Sequence, residues 1–142
     1  MKILVIGGVA AGTKAAAKCK RENRADEVLV ITKSADISYA GCGLPYYVGG
    51  SIEDKAELIV NTPQKYQGLT GVEVRTLREA THVDPVAKKV TVKNLENGQE
   101  EVYEYDKLIV ATGASAVKPP IAGVDLNGVF PMRAPEDAVT MR

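Results

Sequence analysis

The sequence predicts an α/β fold: a Rossmann-like parallel sheet with a βαβ opening and an inserted antiparallel β-meander. A glycine-rich turn follows a short apolar strand, Lys2–Ile6, and opens an alanine-rich helix. A second β-branched strand, Glu27–Thr32, follows that helix and lacks polar alternation, as strands buried on both faces do. Short alternating segments between positions 78 and 105 are broken by Asp84-Pro85 and Asn97-Gly98, which predicts the meander. A parallel sheet with a right-handed crossover follows from this order.

The other elements are predicted in chain order. The first helix runs from Ala10 to about Asn23, and its spacing is expected to place Ala11, Ala15 and Cys19 on the inner face. The remaining predicted elements are a short helix over Cys42–Val48, a helix opened by Thr62 and Pro63, a strand over Val72–Thr76, meander strands over Ala80–Val83, Lys88–Lys93 and Glu101–Tyr105, and a buried strand over Lys107–Ala111. The segment Arg133–Arg142 has the pattern of a helix opening without a closing glycine, so we expect a piece of a longer protein.

The composition is that of a soluble globular domain of 142 residues, with 45% hydrophobic and 25% charged residues. Lys plus Arg and Asp plus Glu both total 18, so the charge favours neither nucleic acid nor a membrane as a partner. No apolar run reaches the ~18 residues of a membrane-spanning helix, and no signal-peptide pattern is visible. Cys19 and Cys42 form no disulfide framework, and the single histidine, His82, lacks a metal-ligand pattern. We therefore expect a cytoplasmic protein without a metal site.

The run Gly7-Gly8-Val9-Ala10-Ala11-Gly12 has the context of a dinucleotide-binding turn, since it lies between a strand and a helix. Gly7 is expected to make the tight turn and Gly12 to let helix and strand pack closely, with a pyrophosphate at the helix N-terminus. Two positions depart from the usual pattern. Val9 stands at the second glycine position, and the second strand ends in Thr32-Lys33 rather than in an acidic residue. A purely structural tight turn is the alternative interpretation.

Cys42 lies between two glycines in the run Ile37–Tyr47, at a predicted loop-to-helix junction. Pro45 suits the first turn of a helix, where its missing N–H costs nothing. The unpaired N–H groups of Gly43 and Leu44 are expected to point toward the sulfur and to favour the reactive thiolate. The alternative is a buried structural cysteine, since free cysteines are commonly buried.

Three motifs occur in order: Gly7–Gly12, Ser38–Tyr47 and Tyr105–Gly113. With them the chain resembles the flavoprotein pyridine nucleotide–disulfide oxidoreductases, and within these the single-cysteine branch of coenzyme A-disulfide reductases, NADH oxidases and NADH peroxidases. The resemblance implies that residues 1–142 are the N-terminal segment of an FAD-binding domain. It also implies that the NAD(P)H-binding and dimerisation domains lie outside this chain, and that the full-length protein is a homodimer.

The resemblance assigns site residues position by position. It implies that Cys42 is the redox cysteine and that Ser38 stands where two-cysteine relatives have their other redox cysteine. The implied FAD positions are Gly7, Gly8, Val9, Ala10, Ala11, Gly12, Thr32, Lys33, Ser38, Ala80, Thr112, Gly113 and Arg133. The implied substrate positions are Lys14, Lys18, Arg21, Ser38 and Gly41. The three basic residues share one helix face and could equally form a solvated surface, and Gly41 replaces an asparagine usual in the reductases.

The branches differ at Ala10, where the oxidases and peroxidases carry a histidine. Alanine there favours a reductase of coenzyme A disulfide or a related small disulfide or persulfide, using NAD(P)H and FAD. An NADH oxidase or peroxidase is the second hypothesis. The third is that the isolated chain is only a binding module or an inactive fragment, because it lacks the nicotinamide domain.

Overall fold

The computed structural model describes all residues, 1–142. Its helices and strands are β1 (Lys2–Ile6), α1 (Ala10–Glu22), β2 (Glu27–Ile31), α2 (Leu44–Val48), α3 (Pro63–Thr70), β3 (Glu73–Arg75), β4 (Arg78–Asp84), β5 (Lys89–Asn94), β6 (Glu100–Glu104), β7 (Lys107–Val110) and α4 (Pro135–Met141). Two short 3₁₀ turns cover Gly41–Gly43 and Lys55–Leu58. The chain forms two compact units: the first contains Met1–Ser38 and Asn61–Thr112, and the second contains Tyr39–Val60 and Gly113–Arg142.

The first unit is built on a four-stranded parallel sheet with the order β3-β2-β1-β7. Side chains alternate across β1, so Ile3 and Val5 face one layer while Leu4 and Ile6 face the other. The first layer holds α1 and α3, whose Ala16 and Tyr66 belong to the same buried cluster as Val5. The predicted α/β class and parallel sheet are confirmed.

The second layer of the first unit is the antiparallel meander β4-β5-β6. Val90 and Val92 of β5 are fully buried, and they pack on Leu4, Ile6 and Ile31 of the parallel sheet. Gly98 adopts a φ of 75° in the turn between β5 and β6, a conformation that favours glycine. The meander predicted between positions 78 and 105 is therefore confirmed.

The predicted inner face of the first helix is wrong at Ala11 but confirmed at Cys19, and Ala15 is half-buried. The buried residues of α1 are Gly12, Thr13 and Ala16, whereas Ala11 is exposed. Cys19 is half-buried and packs against the edge of the core. Alanine occupies most positions in the first turns of α1, so the apolar pattern does not distinguish an inner face from an outer one. The close approach of Gly12 to the preceding turn instead sets the rotation of the helix about its axis.

The second unit surrounds a small core of Leu44, Leu58 and Ala138. The Ala40 N–H donates to the Leu58 carbonyl at 2.7 Å, which fixes the chain just before Cys42. The α-helix predicted over Cys42–Val48 begins only at Leu44, because Gly41–Gly43 forms a 3₁₀ turn instead. The helix opening predicted near the end of the chain is confirmed as α4.

Arg142 connects the end of α4 to α2 and to the chain that follows α2. Its guanidinium donates to the carbonyls of Ile52 and Glu53 at 3.1 and 3.0 Å, and it lies 4.6 Å from the centroid of the Tyr47 ring. Because Tyr47 belongs to α2, this contact fastens α4 to the helix that follows Cys42.

No helix in the structure combines the length and the apolar composition needed to cross a membrane.

Candidate functional site

The glycine turn between β1 and α1 depends on the absence of side chains at two positions. Gly7 has a φ of 121°, and a Cβ there would lie 2.1 Å from the Ala111 carbonyl oxygen. A Cβ on Gly12 would lie 1.8 Å from the Gly7 carbonyl oxygen. Both glycines are therefore required by backbone approach, as the sequence predicted: Gly7 makes the turn, and Gly12 lets α1 pack against it.

The carboxyl ends of three parallel strands meet at this turn. β1 ends just before Gly7, β2 ends just before Thr32, and β7 leads into Ala111 and Thr112. The chain passes from β1 through β2 to β3 on one side, whereas β7 lies on the other side of β1. Ligands of open α/β sheets bind outside the carboxyl ends of the strands at such a reversal. The Gly7–Gly12 turn and Thr112 therefore lie where a nucleotide cofactor is expected.

The N-terminus of α1 is open to an anion. Val9 occupies the cap position, and no side chain caps the helix. The amides of the first turn thus keep their donor capacity, which suits a diphosphate group. Val9 itself does not interrupt the turn, since its carbonyl accepts the Thr13 N–H at 3.2 Å.

The end of β2 offers no carboxylate. Thr32 is 7% exposed, and its hydroxyl accepts the Ser34 N–H at 3.4 Å. Its methyl group lies 2.9 Å from the place that a Cβ on Gly8 would take, so Thr32 and Gly8 pack tightly together. Lys33 is exposed. A hydroxyl and a cation thus stand where dinucleotide-binding turns usually present an acid.

Ser38 is attached to the glycine turn. Its N–H donates to the Gly8 carbonyl at 2.8 Å, and its hydroxyl accepts from the Asn61 side-chain amide at 3.4 Å. Ser38 has a φ of 49°, a left-handed conformation uncommon outside glycine and asparagine. Ala80 lies in β4 beside an irregularity of register and packs half-buried against the core.

Cys42 lies in the 3₁₀ turn Gly41–Gly43 of the second unit, and it is exposed and free of any disulfide. The alternative of a buried structural cysteine is therefore wrong. Gly43 sits directly behind it, because a Cβ there would lie 2.8 Å from Leu58 Cδ2. Leu44, buried against Leu58, anchors the other end of the turn. The thiol is presented to solvent by a turn whose back is packed into the core.

The expected unpaired amides near the sulfur are not there. The Gly43 N–H donates to the Ala40 carbonyl at 2.9 Å, and the Leu44 N–H donates to the Gly41 carbonyl. A 3₁₀ turn before α2 consumes the donors that a plain helix start would leave open. Stabilisation of the thiolate by those two amides is therefore a wrong expectation.

Gly41 has open space on its outer side. A Cβ there would meet only Tyr39 Cε2, at 4.0 Å, which is an ordinary contact distance. The Tyr39 side chain is partly buried, and burial raises its pKa; nearby Arg133 acts in the opposite direction, while Glu136 and Asp137 add to the increase. Neither backbone conformation nor packing requires glycine at position 41.

Arg133 and Gly113 lie together in the second unit. The Arg133 Nε donates to the Ala114 carbonyl at 3.0 Å, and a Cβ on Gly113 would approach Arg133 Nη2 to 3.0 Å. Gly113 has a φ of 73°, which favours glycine independently of this contact. The Asp137 carboxylate accepts the Arg133 N–H at 2.7 Å and so joins this loop to α4.

The basic face of α1 is exposed at Lys14, Lys18 and Arg21. Lys18 pairs with Glu22 one turn later, and this hydrogen bond lowers the pKa of Glu22. Sequence reasoning missed two further residues beside the glycine turn, Thr13 and Tyr66, whose hydroxyls are considered below. Their signal in the sequence is weak, because a threonine and a tyrosine inside helices are ordinarily packing residues.

Comparison with known proteins decides the family. The family model described as pyridine nucleotide-disulphide oxidoreductase matches residues 1–142. The chain belongs to this family, which is FAD-dependent. It is 37% identical to a protein named NADH oxidase of Methanocaldococcus jannaschii over 96% of this chain and 30% of the relative. It is 36% identical to a coenzyme A disulfide reductase of Staphylococcus epidermidis over 81% of this chain and 26% of the relative.

A solved structure agrees with this membership. The structure of an NAD-dependent persulfide reductase from A. fulgidus matches with a TM-score of 0.91 and 36% identity, over 99% of this chain and 26% of that one. The chain thus spans less than a third of the length of each of these relatives.

Proposed function

We propose that the chain is the FAD-binding segment of an NAD(P)H-dependent reductase that acts on coenzyme A disulfide or a related small disulfide or persulfide. The observation that carries the proposal is the exposed, unpaired thiol of Cys42 on a turn held rigid by Gly43 and Leu44. A nucleophilic thiol needs access and a fixed position, and this turn provides both.

The residues around the glycine turn fit the cofactor of the family. The uncapped amides of Ala10 and Ala11 and the open turn at Gly7 would hold the pyrophosphate of FAD, and Thr112 lies at the adjacent strand end. Gly8, Val9, Gly12, Thr32, Lys33, Ser38, Ala80, Gly113 and Arg133 complete the proposed set. When bound, FAD supplies a two-electron carrier between NAD(P)H and the cysteine.

Cys42 does the covalent chemistry. Its thiolate attacks one sulfur of the substrate disulfide, a new S–S bond forms to Cys42, and the second substrate sulfur leaves as a thiolate that takes up a proton. Two electrons from NAD(P)H and one proton then restore the Cys42 thiolate and release the first half of the substrate as a thiol. Ser38 cannot form an internal disulfide, so the mixed disulfide is with substrate.

The basic face of α1 would bind the anionic part of the substrate. Lys14, Lys18 and Arg21 are exposed and suit the phosphates of coenzyme A. Gly41 and Ser38 are the other proposed substrate positions. We further propose that the full-length protein is a homodimer in the cytoplasm, where a free catalytic thiol stays reduced.

A second function is favoured by one observation, the 37% identity to a protein named NADH oxidase. Such an enzyme would pass Cys42 through a sulfenic acid while reducing oxygen or peroxide. Ala10 weighs against it, since alanine offers no polar group to assist oxygen chemistry. Oxygen consumption by the full-length protein with NADH and no disulfide would favour the oxidase, and its absence would favour the reductase.

The Cys42→Ser variant of the full-length protein tests the reductase proposal. We expect it to keep bound FAD and to lose reduction of coenzyme A disulfide completely, because serine cannot form the mixed disulfide. Cys19→Ser is the matched control and is expected to retain activity. Disulfide reduction that survives in Cys42→Ser would refute the mechanism. The present chain alone is expected to show no NAD(P)H-dependent turnover.

The substrate can be tested on the present chain. Intact mass under non-reducing conditions, after exposure to equal concentrations of oxidised coenzyme A, glutathione and cystine, would report which mixed disulfide forms. A preference for coenzyme A on Cys42 would support α1 as the substrate site. Adducts without preference would place substrate selection outside this chain.

A further inference from the structure

Two buried hydroxyl groups lie against the first turn of α1. Tyr66 of α3 is 5% exposed, and its hydroxyl donates to the Thr13 carbonyl. Thr13 is 7% exposed, and its own hydroxyl donates to the Val9 carbonyl. Each carbonyl also belongs to the helical backbone pattern, as the 3.2 Å bond from the Thr13 N–H to the Val9 carbonyl shows. The start of α1 therefore receives two hydrogen bonds more than an ordinary helix start.

Neither hydroxyl is needed to build the fold. The N-terminus of α3 is already capped by the Thr62 hydroxyl, which accepts the Lys65 N–H at 3.2 Å, and its last turn is held by Thr70. The Tyr66 ring packs in the same cluster as Val5 and Ala16. Phenylalanine could fill that space without a buried polar atom that demands a partner. The hydroxyls thus call for an explanation beyond packing.

The backbone connects the two hydroxyls to the amides of Ala10 and Ala11 at the open end of α1. In an α-helix the Lys14 N–H donates to the Ala10 carbonyl. The Tyr66 hydroxyl therefore polarises the Thr13–Lys14 peptide group. The N–H of that group donates to the Ala10 carbonyl and so polarises the Ala10–Ala11 peptide group, whose N–H belongs to Ala11. The Thr13 hydroxyl acts directly on the Val9–Ala10 peptide and so on the Ala10 N–H. Through a longer contact of 3.4 Å to the Ala10 carbonyl it also reaches the Ala10–Ala11 peptide, more weakly. Hydrogen bonds in a chain polarise one another, and each added bond makes the terminal N–H a stronger donor.

We propose that Tyr66 and Thr13 are positioning residues that strengthen the Ala11 and Ala10 amides as donors to a diphosphate group. The proposal rests on the cofactor site proposed above, in which that group is the pyrophosphate of FAD. It differs from the general dipole of a helix because it is selective: the Tyr66 hydroxyl serves the Ala11 amide, and the Thr13 hydroxyl serves chiefly the Ala10 amide. The uncapped start of α1 leaves both amides available for such a ligand.

The first measurement needs no cofactor. Amide proton shifts of ¹⁵N-labelled protein would be compared for the wild type, Tyr66→Phe, Thr13→Val and Thr13→Ser. We expect an upfield shift chiefly at Ala11 in Tyr66→Phe. In Thr13→Val we expect a shift that is larger at Ala10 than at Ala11, with Thr13→Ser close to the wild type. Equal changes throughout the first turn, or none, would overturn the proposal. Each variant is measured separately, so failure of one to fold leaves the other as the test.

The second measurement is the affinity for inorganic pyrophosphate and for FAD, by titration calorimetry. Each hydroxyl is expected to strengthen the hydrogen bonds of its chain by ~10–30%. We therefore expect Tyr66→Phe and Thr13→Val each to bind pyrophosphate and FAD about two- to fourfold more weakly than the wild type. Thr140→Val is the control, because it removes a hydroxyl that likewise donates to a helix carbonyl, that of Glu136 in α4. An equal loss of affinity in this control would overturn the proposal.

The two proposals fail in different ways. If the wild type binds pyrophosphate but not FAD, the cofactor proposal for this chain fails, while selective amide shifts still support the role of the hydroxyls. If FAD binds and its affinity is unchanged in both hydroxyl variants, the role of the hydroxyls is refuted and the cofactor proposal stands.

Discussion

At the scale of single residues, the two glycines that flank Cys42 differ in the space available for a side chain. Gly43 is excluded from carrying a side chain by the Leu58 side chain, 2.8 Å from the place of its Cβ. Gly41 faces open space, with only a 4.0 Å contact to Tyr39. The fold therefore restricts a side chain at position 43, whereas no packing contact restricts one at position 41.

This difference gives a paired prediction. Gly43→Ala is expected to lower the free energy of unfolding by about 1–3 kcal/mol, because the fully buried Leu58 side chain would have to shift within the core to make room. Gly41→Ala is expected to leave stability unchanged or to raise it by about 0.4–1 kcal/mol through reduced entropy of the unfolded chain. Urea unfolding measured on both variants checks this. A loss at position 41 equal to that at position 43 would contradict it.

At the scale of elements, an ionic network joins β4 and β6 of the meander. Glu101 accepts hydrogen bonds from the Tyr103 hydroxyl and, at 2.8 Å, from the Asn94 amide, and it lies 3.2 Å from Arg78 Nε. These contacts, the Tyr103 bond foremost, hold the pKa of Glu101 below its ordinary value of 4.5. A carboxyl with a lowered pKa stabilises the fold in its ionised form.

The network predicts how stability depends on pH. The Glu101 contribution is fully present above the unfolded-state pKa of about 4.5 and is lost as the pH falls through the lower folded-state pKa. Glu101→Gln is therefore expected to be less stable than the wild type at pH 7, with the gap closing toward pH 3. Guanidinium unfolding at both pH values measures the gap. A gap that stays constant would contradict a role for the ionised carboxylate.

The elements also show what the sequence could and could not reveal. Strands β1 and β2 and the turn residues Gly7 and Gly12 carry local signals, so they were predictable from pattern alone. The amides of Gly43 and Leu44 were not, because a 3₁₀ turn and an α-helix start share the same residue preferences. Thr13 and Tyr66 meet only through the packing of α3 on α1, across 53 positions, and no local pattern reports such a contact.

At the scale of the whole molecule, the strands of the parallel sheet are expected to differ in how strongly their amides are protected from hydrogen exchange, with the central strands protected most. β1 and β2 each have a strand on both sides, whereas β3 and β7 are the outer strands of the described sheet. Val5 and Val30 are fully buried, whereas Val110 at the end of β7 is 62% exposed. Central strands are expected to open only in global unfolding, and outer strands in smaller local steps.

Native-state hydrogen exchange checks this gradient. The amides of Val5 and Val30 are expected to exchange at the global unfolding free energy, and those of β3 and the end of β7 at clearly lower free energies. If the amides of β3 exchanged as slowly as those of β1, the β3 edge of the parallel sheet would be covered in solution. Mild denaturant series on the wild type are sufficient, with amides of the central meander strand β5 as an internal reference.

The pairing of β1 with β7 also determines when, during protein synthesis, β1 can complete its hydrogen bonding. The Lys2 N–H donates to the Asp106 carboxylate at 2.6 Å, a contact across 104 positions. Synthesis at ~5–20 residues per second puts on the order of 5–20 s between the appearance of these two partners. During that interval β1, with four apolar residues of its five, has been made while its neighbour β7 is still missing. The hydrogen bonding of β1 along its β7 side is thus completed only after residues 106–110 have been made.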